Sequence, residues 1–147
     1  MDALKLIKQD HDRFKKLMKE IHETTERAVK TRDEQFAKFE SEIKAHERME
    51  EEIFYPALLE HPKAKEIVLE GFEEHHAADV LLAELEDVPV DDEHWGAKFN
   101  VIKENIEHHM EEEEGDMFKK ARSLLDDREL EELGARMEES KKASLKG

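Results

Sequence analysis

The sequence predicts an all-α protein, an up-down-up-down four-helix bundle with a short C-terminal fifth helix. Charged residues make up 44% of the chain, and only 3 Pro and 5 Gly interrupt 147 residues rich in helix formers. Apolar residues recur at alternating steps of three and four residues, which is the period of a helix with one buried face. No segment shows the sustained alternation of apolar and polar residues that is typical of a strand.

The first predicted helix covers about residues 2–29 and is capped by Asp2. Its inward stripe consists of Leu4, Ile7, His11, Phe14, Met18 and Ile21. The second helix follows the polar cluster Thr31–Asp33 and ends near Leu59, with a kink expected at Pro56 because proline lacks a backbone N–H. Its inward stripe consists of Phe36, Phe39, Ile43, His46, Glu50, Ile53 and Ala57.

The third helix follows the turn at Pro62 and ends near Asp87, and its stripe consists of Val68, Phe72, His75, Asp79 and Leu82. The fourth begins after Asp91 or Asp92, and its stripe consists of Trp95, Phe99, Ile102, Ile106, His109, Glu113 and Met117. A short fifth helix can place Leu130, Leu133 and Met137 against one end of the bundle, before a polar tail from Glu138 that is expected to fray. We therefore predict a bundle over residues 1–125, and a short helix with a polar tail over residues 126–147.

The charge of the chain excludes several classes of function. With 24 basic and 40 acidic residues the net charge is −16, so nucleic acid and anionic lipid surfaces should repel it. No apolar run approaches the roughly 18 residues that a membrane span needs, and no secretory signal is visible, so we expect a cytoplasmic monomer. Because the chain has no Cys, any bound metal must be held by imidazole nitrogen and carboxylate oxygen.

Each of the four long stripes carries a histidine where an apolar residue is expected, and two of these histidines are followed one turn later by a glutamate. The six residues are His11, His46, Glu50, His75, His109 and Glu113. Residues four apart lie above one another on a helix. Counted from one end of the bundle, they lie roughly 9 residues deep on the first helix, 9 to 13 on the second, 12 on the third and 12 to 16 on the fourth. At about 1.5 Å per residue these depths agree between the helices within a turn or so. We predict that they meet.

The inward stripes also contain acids without basic partners. Glu50, Asp79 and Glu113 lie on these stripes, whereas no Lys or Arg does. Burying an unpaired carboxylate costs several kcal/mol. Protonated histidines would still leave a packed set of desolvated charges, whereas two metal cations would neutralise the acids. Imidazole and carboxylate together favour iron, manganese or zinc. The sequence therefore predicts a pair of metal ions in the bundle core.

Four short motifs carry these residues, and they lie within a stretch of family likeness that covers the chain from Leu4 to about Met137. They are Lys8–His11, His46–Glu51 followed by Phe54–Pro56, Glu73–His76, and His109–Glu114. Taken together they resemble the motifs of the hemerythrin-like proteins, the His-His-Glu cation-binding domain family. The resemblance implies a four-helix bundle that holds two iron ions as an oxo- or hydroxo-bridged pair.

By this resemblance His11 and His46 would bind one iron, His75 and His109 would bind the other, and the two glutamates would bridge them. The implied function is binding of oxygen, peroxide or nitric oxide. Iron homeostasis or sensing, and a peroxidase- or catalase-like enzyme, are alternatives, and the sequence does not decide whether the protein is an enzyme. Ligand type alone leaves manganese and zinc open. A metal-free interaction bundle is an alternative of another class.

One position departs from the family pattern. Oxygen-carrying hemerythrins have a second histidine one turn after the ligand of the third helix, and here that position is Asp79. Asp79 could bind the metal, accept a hydrogen bond from a ligand histidine, or leave a position for water. Glu47, next to His46, is another possible ligand. These acids make a reversible oxygen carrier a weaker interpretation and favour redox turnover or iron handling.

Overall fold

The structure, a computed structural model, describes residues 1–146 and confirms the predicted fold class. Its α-helices are α1 (Ala3–His22), α2 (Val29–Met49), α3 (Tyr55–Leu59), α4 (Lys65–Glu86), α5 (Trp95–Glu112), α6 (Phe118–Leu124) and α7 (Asp127–Lys146). A first π segment, Glu50–Phe54, joins α2 to α3, and a second, Glu113–Met117, joins α5 to α6. A 3₁₀ turn, Pro62–Ala64, precedes α4. No strand occurs in residues 1–146.

The four rods of the bundle are α1, α2 with α3, α4, and α5 with α6. Helix α1 contacts α2 and α5, and α4 contacts α5 and α3, so the rods surround one interior. Helix α7 is the fifth rod, and it lies against α1 and α2. Pro56, where the sequence predicts a kink, lies in the first turn of α3 directly after the first π segment.

The first helix is shorter than predicted, because it ends at His22 and not near residue 29. The hydroxyl of Thr24 donates to the carbonyl of Ile21, and the guanidinium of Arg32 donates to the carbonyl and hydroxyl of Thr24. These side-chain bonds compete with helix continuation, so the chain turns here. The second helix then begins at Val29, ahead of the predicted polar cluster.

The C-terminal segment is more regular than predicted. The expected polar tail continues as helix to Lys146, and only Gly147 lies outside the described residues. The helix starts with a capping box, in which Asp126 accepts from the Glu129 N–H at 2.8 Å while the Glu129 carboxylate accepts from the Asp126 N–H at 3.3 Å. As predicted, the apolar face of α7 is buried.

Two apolar clusters fill the bundle and leave a polar level between them. One contains Ile7 and Met49 together with the inward face of α7, and the other contains Phe14, Ile43 and Ile106. The six predicted site residues fall between these clusters along the helices. Among the described residues, no helix combines the length and apolar character needed to cross a bilayer.

Candidate metal centre

The structure brings all six predicted residues together inside the bundle. Each is buried, and His109 is the most exposed at 9%. Their donor atoms form two groups of three, within which the atoms lie within 4.8 Å of one another. The first group is His11, His46 and Glu113, and the second is Glu50, His75 and His109. Each group has the imidazole and carboxylate donors that suit iron, manganese or zinc.

Glu50 lies between the two groups. Its Oε1 atom is 3.2 Å from Nε2 of His46, which belongs to the first group, and 3.1 Å from Nε2 of His75, which belongs to the second. Nearby positive charge, including that of His46 and His75, outweighs the effect of burial and holds the pKa of Glu50 well below its usual value. The carboxylate is therefore ionised and in a position to contact cations on both sides.

Glu113 has the matching position on the opposite side. Its Oε1 atom is 3.0 Å from Nε2 of His11, and its Oε2 atom is 3.6 Å from Nε2 of His109. The hydroxyl of Tyr55 donates to the same Oε2 at 2.7 Å. This approach needs a glycine on α4, because a Cβ at Gly71 would lie 2.9 Å from the Tyr55 hydroxyl.

Several donor atoms of the centre are buried and have no hydrogen-bond partner within residues 1–146. They are Nε2 of His11 and His109, Oε1 of Glu113, and both carboxylate oxygens of Glu50. The short distances between these nitrogen and oxygen atoms are therefore not hydrogen bonds, and the atoms point toward a common space inside the bundle. Buried polar atoms are rarely left unpaired in proteins, and a bound cation is one accepted reason for an exception. The residues fit a pair of metal ions.

A carboxylate on a neighbouring rod accepts a hydrogen bond from each of the four histidines. The pairs are His11 with Glu114 (2.7 Å), His46 with Asp10 (2.7 Å), His75 with Glu51 (2.7 Å) and His109 with Glu74 (2.9 Å). Because an ionised carboxylate can only accept, Nδ1 of each ring carries the proton and Nε2 faces the centre. This is the usual arrangement around histidines that bind metals, since it fixes the ring and its tautomer.

These four carboxylates are not among the site residues predicted from the sequence. Each is nevertheless the immediate sequence neighbour of one of the six central residues: Asp10 precedes His11, and Glu74 precedes His75. Glu51 and Glu114 each follow a central glutamate. All four lie within the motifs that carry the family resemblance, so adjacency to a predicted ligand was the available signal.

Strong charge interactions raise the pKa values of two histidines of the centre. Burial by itself lowers the pKa of His46, but the charge of Glu50, together with the charge and hydrogen bond of Asp10, outweighs it and raises the pKa to about 10. For His75, burial is likewise outweighed by Glu50 and Glu51, and the pKa rises to about 11. Without metal, protonated imidazoles therefore neutralise the carboxylates. A metal ion must displace these protons.

Both central glutamates begin a π segment. Glu50 opens the first and Glu113 opens the second, at matching levels of two rods. A π turn inserts extra backbone into an α-helix and is found mostly at functional sites. Here each π segment begins at a glutamate that lies four residues after a central histidine. The next buried residues, Tyr55 on one rod and Phe118 on the other, follow the π segments and pack below the centre.

The two possible additional ligands, Glu47 and Asp79, lie outside both groups. Glu47 is buried and Asp79 is half-buried, and the two residues line the same cleft. Burial and the neighbouring carboxyl group of Asp79 raise the pKa of Glu47 to about 9, so Glu47 is protonated at neutral pH. Asp79 thus lies beside an acid on α2, whereas the histidine one turn before it, His75, faces the centre.

The other histidines do not join the centre. His22, His76, His94 and His108 are exposed, and His61 is half-exposed at a turn. His22 is the last residue of α1, and its side chain is exposed. His108 belongs to a surface group with Glu74 and Glu112.

A small cavity adjoins the four central histidines. Its volume is about 20 Å³, enough for one water-sized molecule. Besides the histidines, its wall is mainly apolar and includes Phe14, Ile43, Ile106 and Met110, with Glu47 and Glu74 at its edge. The space beside the centre is therefore small and mostly apolar.

Comparison with known proteins agrees with this architecture. Residues 2–121 match the family model of the hemerythrin HHE cation binding domain. The chain is also similar to the crystal structure of a hemerythrin HHE cation binding domain-containing protein from Mycobacterium kansasii, with a TM-score of 0.84 and 29% identity. That match covers 99% of this chain and 90% of the other. No curated protein matches the sequence.

Proposed function

Because the chain belongs to the hemerythrin HHE cation-binding domain family, we propose that it is a non-haem di-iron protein that binds oxygen, peroxide or nitric oxide. The observation that carries the proposal is the position of Glu50 and Glu113, each between a histidine of one donor group and a histidine of the other. A bound iron pair would supply redox chemistry and open coordination positions for a small ligand.

Each donor group would hold one ion. His11, His46 and Glu113 would hold the first, and the second group would hold the other, with both glutamates bridging. The outer carboxylates keep each Nδ1 protonated, which leaves the Nε2 lone pair for metal. The buried donors without hydrogen-bond partners support this assignment, because two cations would satisfy all of them.

The cavity beside the histidines determines what could reach the ions. A volume of about 20 Å³, room for one water-sized molecule, suits a small ligand such as a diatomic molecule better than a larger substrate. Its apolar wall, with Phe14 and Ile106, keeps bulk water away from a bound ligand. Asp79 lies beside Glu47 and does not reach the centre, so the position that oxygen carriers fill with a histidine would be left for a ligand.

Tyr55 would hold a proton at the edge of the centre. Burial and the negative charges of Glu113 and Glu50 raise the pKa of Tyr55 well above its usual value. Its hydroxyl therefore stays protonated and donates a hydrogen bond to Glu113. This hydrogen bond fixes the Glu113 carboxylate against rotation. Tyr55 also stacks on the ring of His75 at 5.4 Å between centroids, which helps to orient that ligand.

The net charge of −16 supports a protein that works without nucleic acid or membrane partners. We propose a cytoplasmic monomer whose partner is the small ligand itself. Size-exclusion chromatography with light scattering would test the monomer, and a stable dimer would contradict it.

Two histidine doublets on the helices supply matched controls for the test of the metal site. In each doublet one histidine faces the centre and its neighbour is exposed: His75 with His76, and His109 with His108. We expect elemental analysis of native protein to give about two irons per chain in wild type, His76→Ala and His108→Ala. His75→Ala and His109→Ala should lose iron. Equal iron content in all five proteins, or none in wild type, would overturn the proposal.

Visible spectra of the iron-loaded protein under oxygen, nitric oxide and peroxide then separate the functions. A reversible spectral change with little turnover indicates binding or sensing. Sustained loss of peroxide that His109→Ala abolishes indicates a peroxidase- or catalase-like enzyme. Iron that exchanges readily, without a spectral response to any of the three, indicates iron handling and contradicts ligand binding.

A further inference from the structure

The fifth helix reaches the candidate metal centre through one lysine. The ammonium of Lys141 on α7 forms an ion pair with Oδ1 of Asp10 on α1. The other oxygen of Asp10, Oδ2, accepts from Nδ1 of His46 on α2 at 2.7 Å. A chain of three side chains thus links α7 to a residue of the first donor group.

Asp10 differs from the other three outer carboxylates in its burial. Its side chain is 3% exposed, whereas those of Glu114, Glu51 and Glu74 are 23%, 36% and 27% exposed. Water can solvate the charge of the exposed three. A buried carboxylate instead needs a cationic partner, because its desolvation otherwise costs several kcal/mol.

Lys141 and His46 are the two cationic groups within 4 Å of the Asp10 carboxylate in the described chain. A histidine that binds metal through Nε2 must first lose the extra proton, and the imidazole is then neutral. In that state Lys141 is left as the positive partner of Asp10. Its ammonium group, paired with one oxygen of Asp10, keeps the other oxygen directed at the His46 N–H.

The sequence register of α7 explains how a lysine comes to this position. Lys141 follows the fully buried Met137 by four residues, so it continues the inward face of the helix. The docking is tight, since a Cβ at Gly134 would lie 2.1 Å from the carbonyl oxygen of Met1. Leu130 and Leu133 complete the apolar contact. The helix therefore holds the base of the lysine side chain at a fixed distance from Asp10.

We propose that Lys141 is a positioning residue of the metal centre, through which the docked fifth helix fixes His46, by way of Asp10, as a ligand. The inference rests on the proposed function, since it requires the first donor group, His11, His46 and Glu113, to bind an ion. The expected consequence is asymmetric. Loss of Lys141 should loosen the ion of this group, whereas the ion of the second group, whose outer carboxylates Glu51 and Glu74 form no ion pair with α7 within residues 1–146, should be held as before.

The test compares Lys141→Met with Lys141→Arg, and with Lys142→Met as a matched control at an exposed neighbouring lysine. Each protein is loaded anaerobically with ferrous iron, and release of iron to a chelator is followed in time. Methionine keeps the apolar part of the side chain beside Met137, so the helix should stay docked. Far-UV circular dichroism of each variant checks that helix content is retained, and urea unfolding checks that the stability contributed by the docked helix is retained.

We expect Lys141→Met to release one of its two irons on the order of 10-fold faster than wild type, and the other at the wild-type rate. Mössbauer spectra should show a change in one of two iron environments. Lys141→Arg should restore slow release, because arginine keeps the charge, and Lys142→Met should match wild type. In an Asp10→Asn background, Lys141→Met should have no further effect on release.

The outcomes separate this inference from the function on which it rests. If wild type binds no iron, the proposed function and the inference both fail. If wild type binds two irons and Lys141→Met releases both at wild-type rates, only the inference is overturned. It is also overturned if both irons loosen equally or if the lysine change is fully additive with Asp10→Asn, since the lysine would then act through general stability.

Discussion

Without bound metal, the protein should become less stable as the pH rises. Protonated histidines then take the place of the metal cations, and they lose their protons at high pH. The pKa of His46 is about 10 and that of His75 about 11, against an ordinary value near 6.5 in the unfolded chain. Since the folded values are raised, the protonated imidazoles stabilise the fold fully below about pH 6.5. This stabilisation is lost as the pH rises from there through about 10.

The expected slope follows from proton linkage. Each proton that the folded state holds in excess changes the free energy of unfolding by about 1.4 kcal/mol per pH unit. Two imidazoles therefore give a loss of about 3 kcal/mol per pH unit, a large part of a typical stability of 5 to 15 kcal/mol. Glu47, with its pKa raised to about 9, adds a loss of the same sign up to that pH.

The assay is urea unfolding of chelator-treated and iron-loaded protein at pH 6.5, 7.5 and 8.5, followed by circular dichroism. The metal-free protein should lose stability steeply over this range. The loaded protein should lose much less stability, because its ligand histidines are already deprotonated and only the contribution of Glu47 remains. His75→Ala should remove about 1.4 kcal/mol per pH unit from the metal-free slope, and the exposed His76→Ala should leave it unchanged. Equal stability of the metal-free protein at pH 6.5 and 8.5 would refute the reasoning.

Two further substitutions test contacts near the centre and far from it. Gly71→Ala should lower the free energy of unfolding in urea by about 2 kcal/mol, because the new Cβ overlaps the phenol of Tyr55 and weakens its hydrogen bond to Glu113. An unchanged or increased stability would contradict this contact. Arg32→Leu should lower the free energy of unfolding by about 3 kcal/mol without changing the iron content, since it removes hydrogen bonds to two loop carbonyls. Arg27→Leu, at an exposed arginine, is the control, and an equal loss of stability in both variants would contradict this role of Arg32.

The helical periodicity predicted the fold class and the inward stripes, because both depend on local spacing. The ends of the helices depended on contacts that spacing does not contain. Helix α1 stops at His22 because Arg32, ten residues further along the chain, binds the carbonyl of Thr24. Similarly, the polar segment after Glu138 is helical because its inward residues contact α1, which the charged composition conceals.

The meeting of the six central side chains was predictable, since residues at one depth and on inward faces must converge. Whether they bind metal stays a prediction. Asp79 shows the limit of the argument from helical phase, because it belongs to the inward stripe but its carboxyl group lies beside Glu47. The rotation of α4 relative to α2 decides this position, and the sequence of either helix alone does not contain it.

The four outer carboxylates follow a rule that links their sequence positions to the bundle. They connect α1 to α2, the α2 rod to α4, α4 to α5, and the α5 rod back to α1, so the hydrogen bonds form a closed ring. Adjacent helical residues point about 100° apart. A residue next to an inward ligand therefore faces the neighbouring rod of a four-rod bundle.

The direction of each rod then decides on which side of the ligand the carboxylate must stand. Viewed from one end, a right-handed helix turns one way when it approaches and the opposite way when it recedes. The acid must therefore precede the ligand on rods of one direction and follow it on the others. Asp10 and Glu74 precede their ligands on the parallel rods α1 and α4, and Glu51 and Glu114 follow theirs on the two antiparallel rods. Because the same acids sit beside the ligands and orient the next rod's histidines, rotating any one rod would disrupt both, and the ring ties the donor geometry to the packing of the bundle.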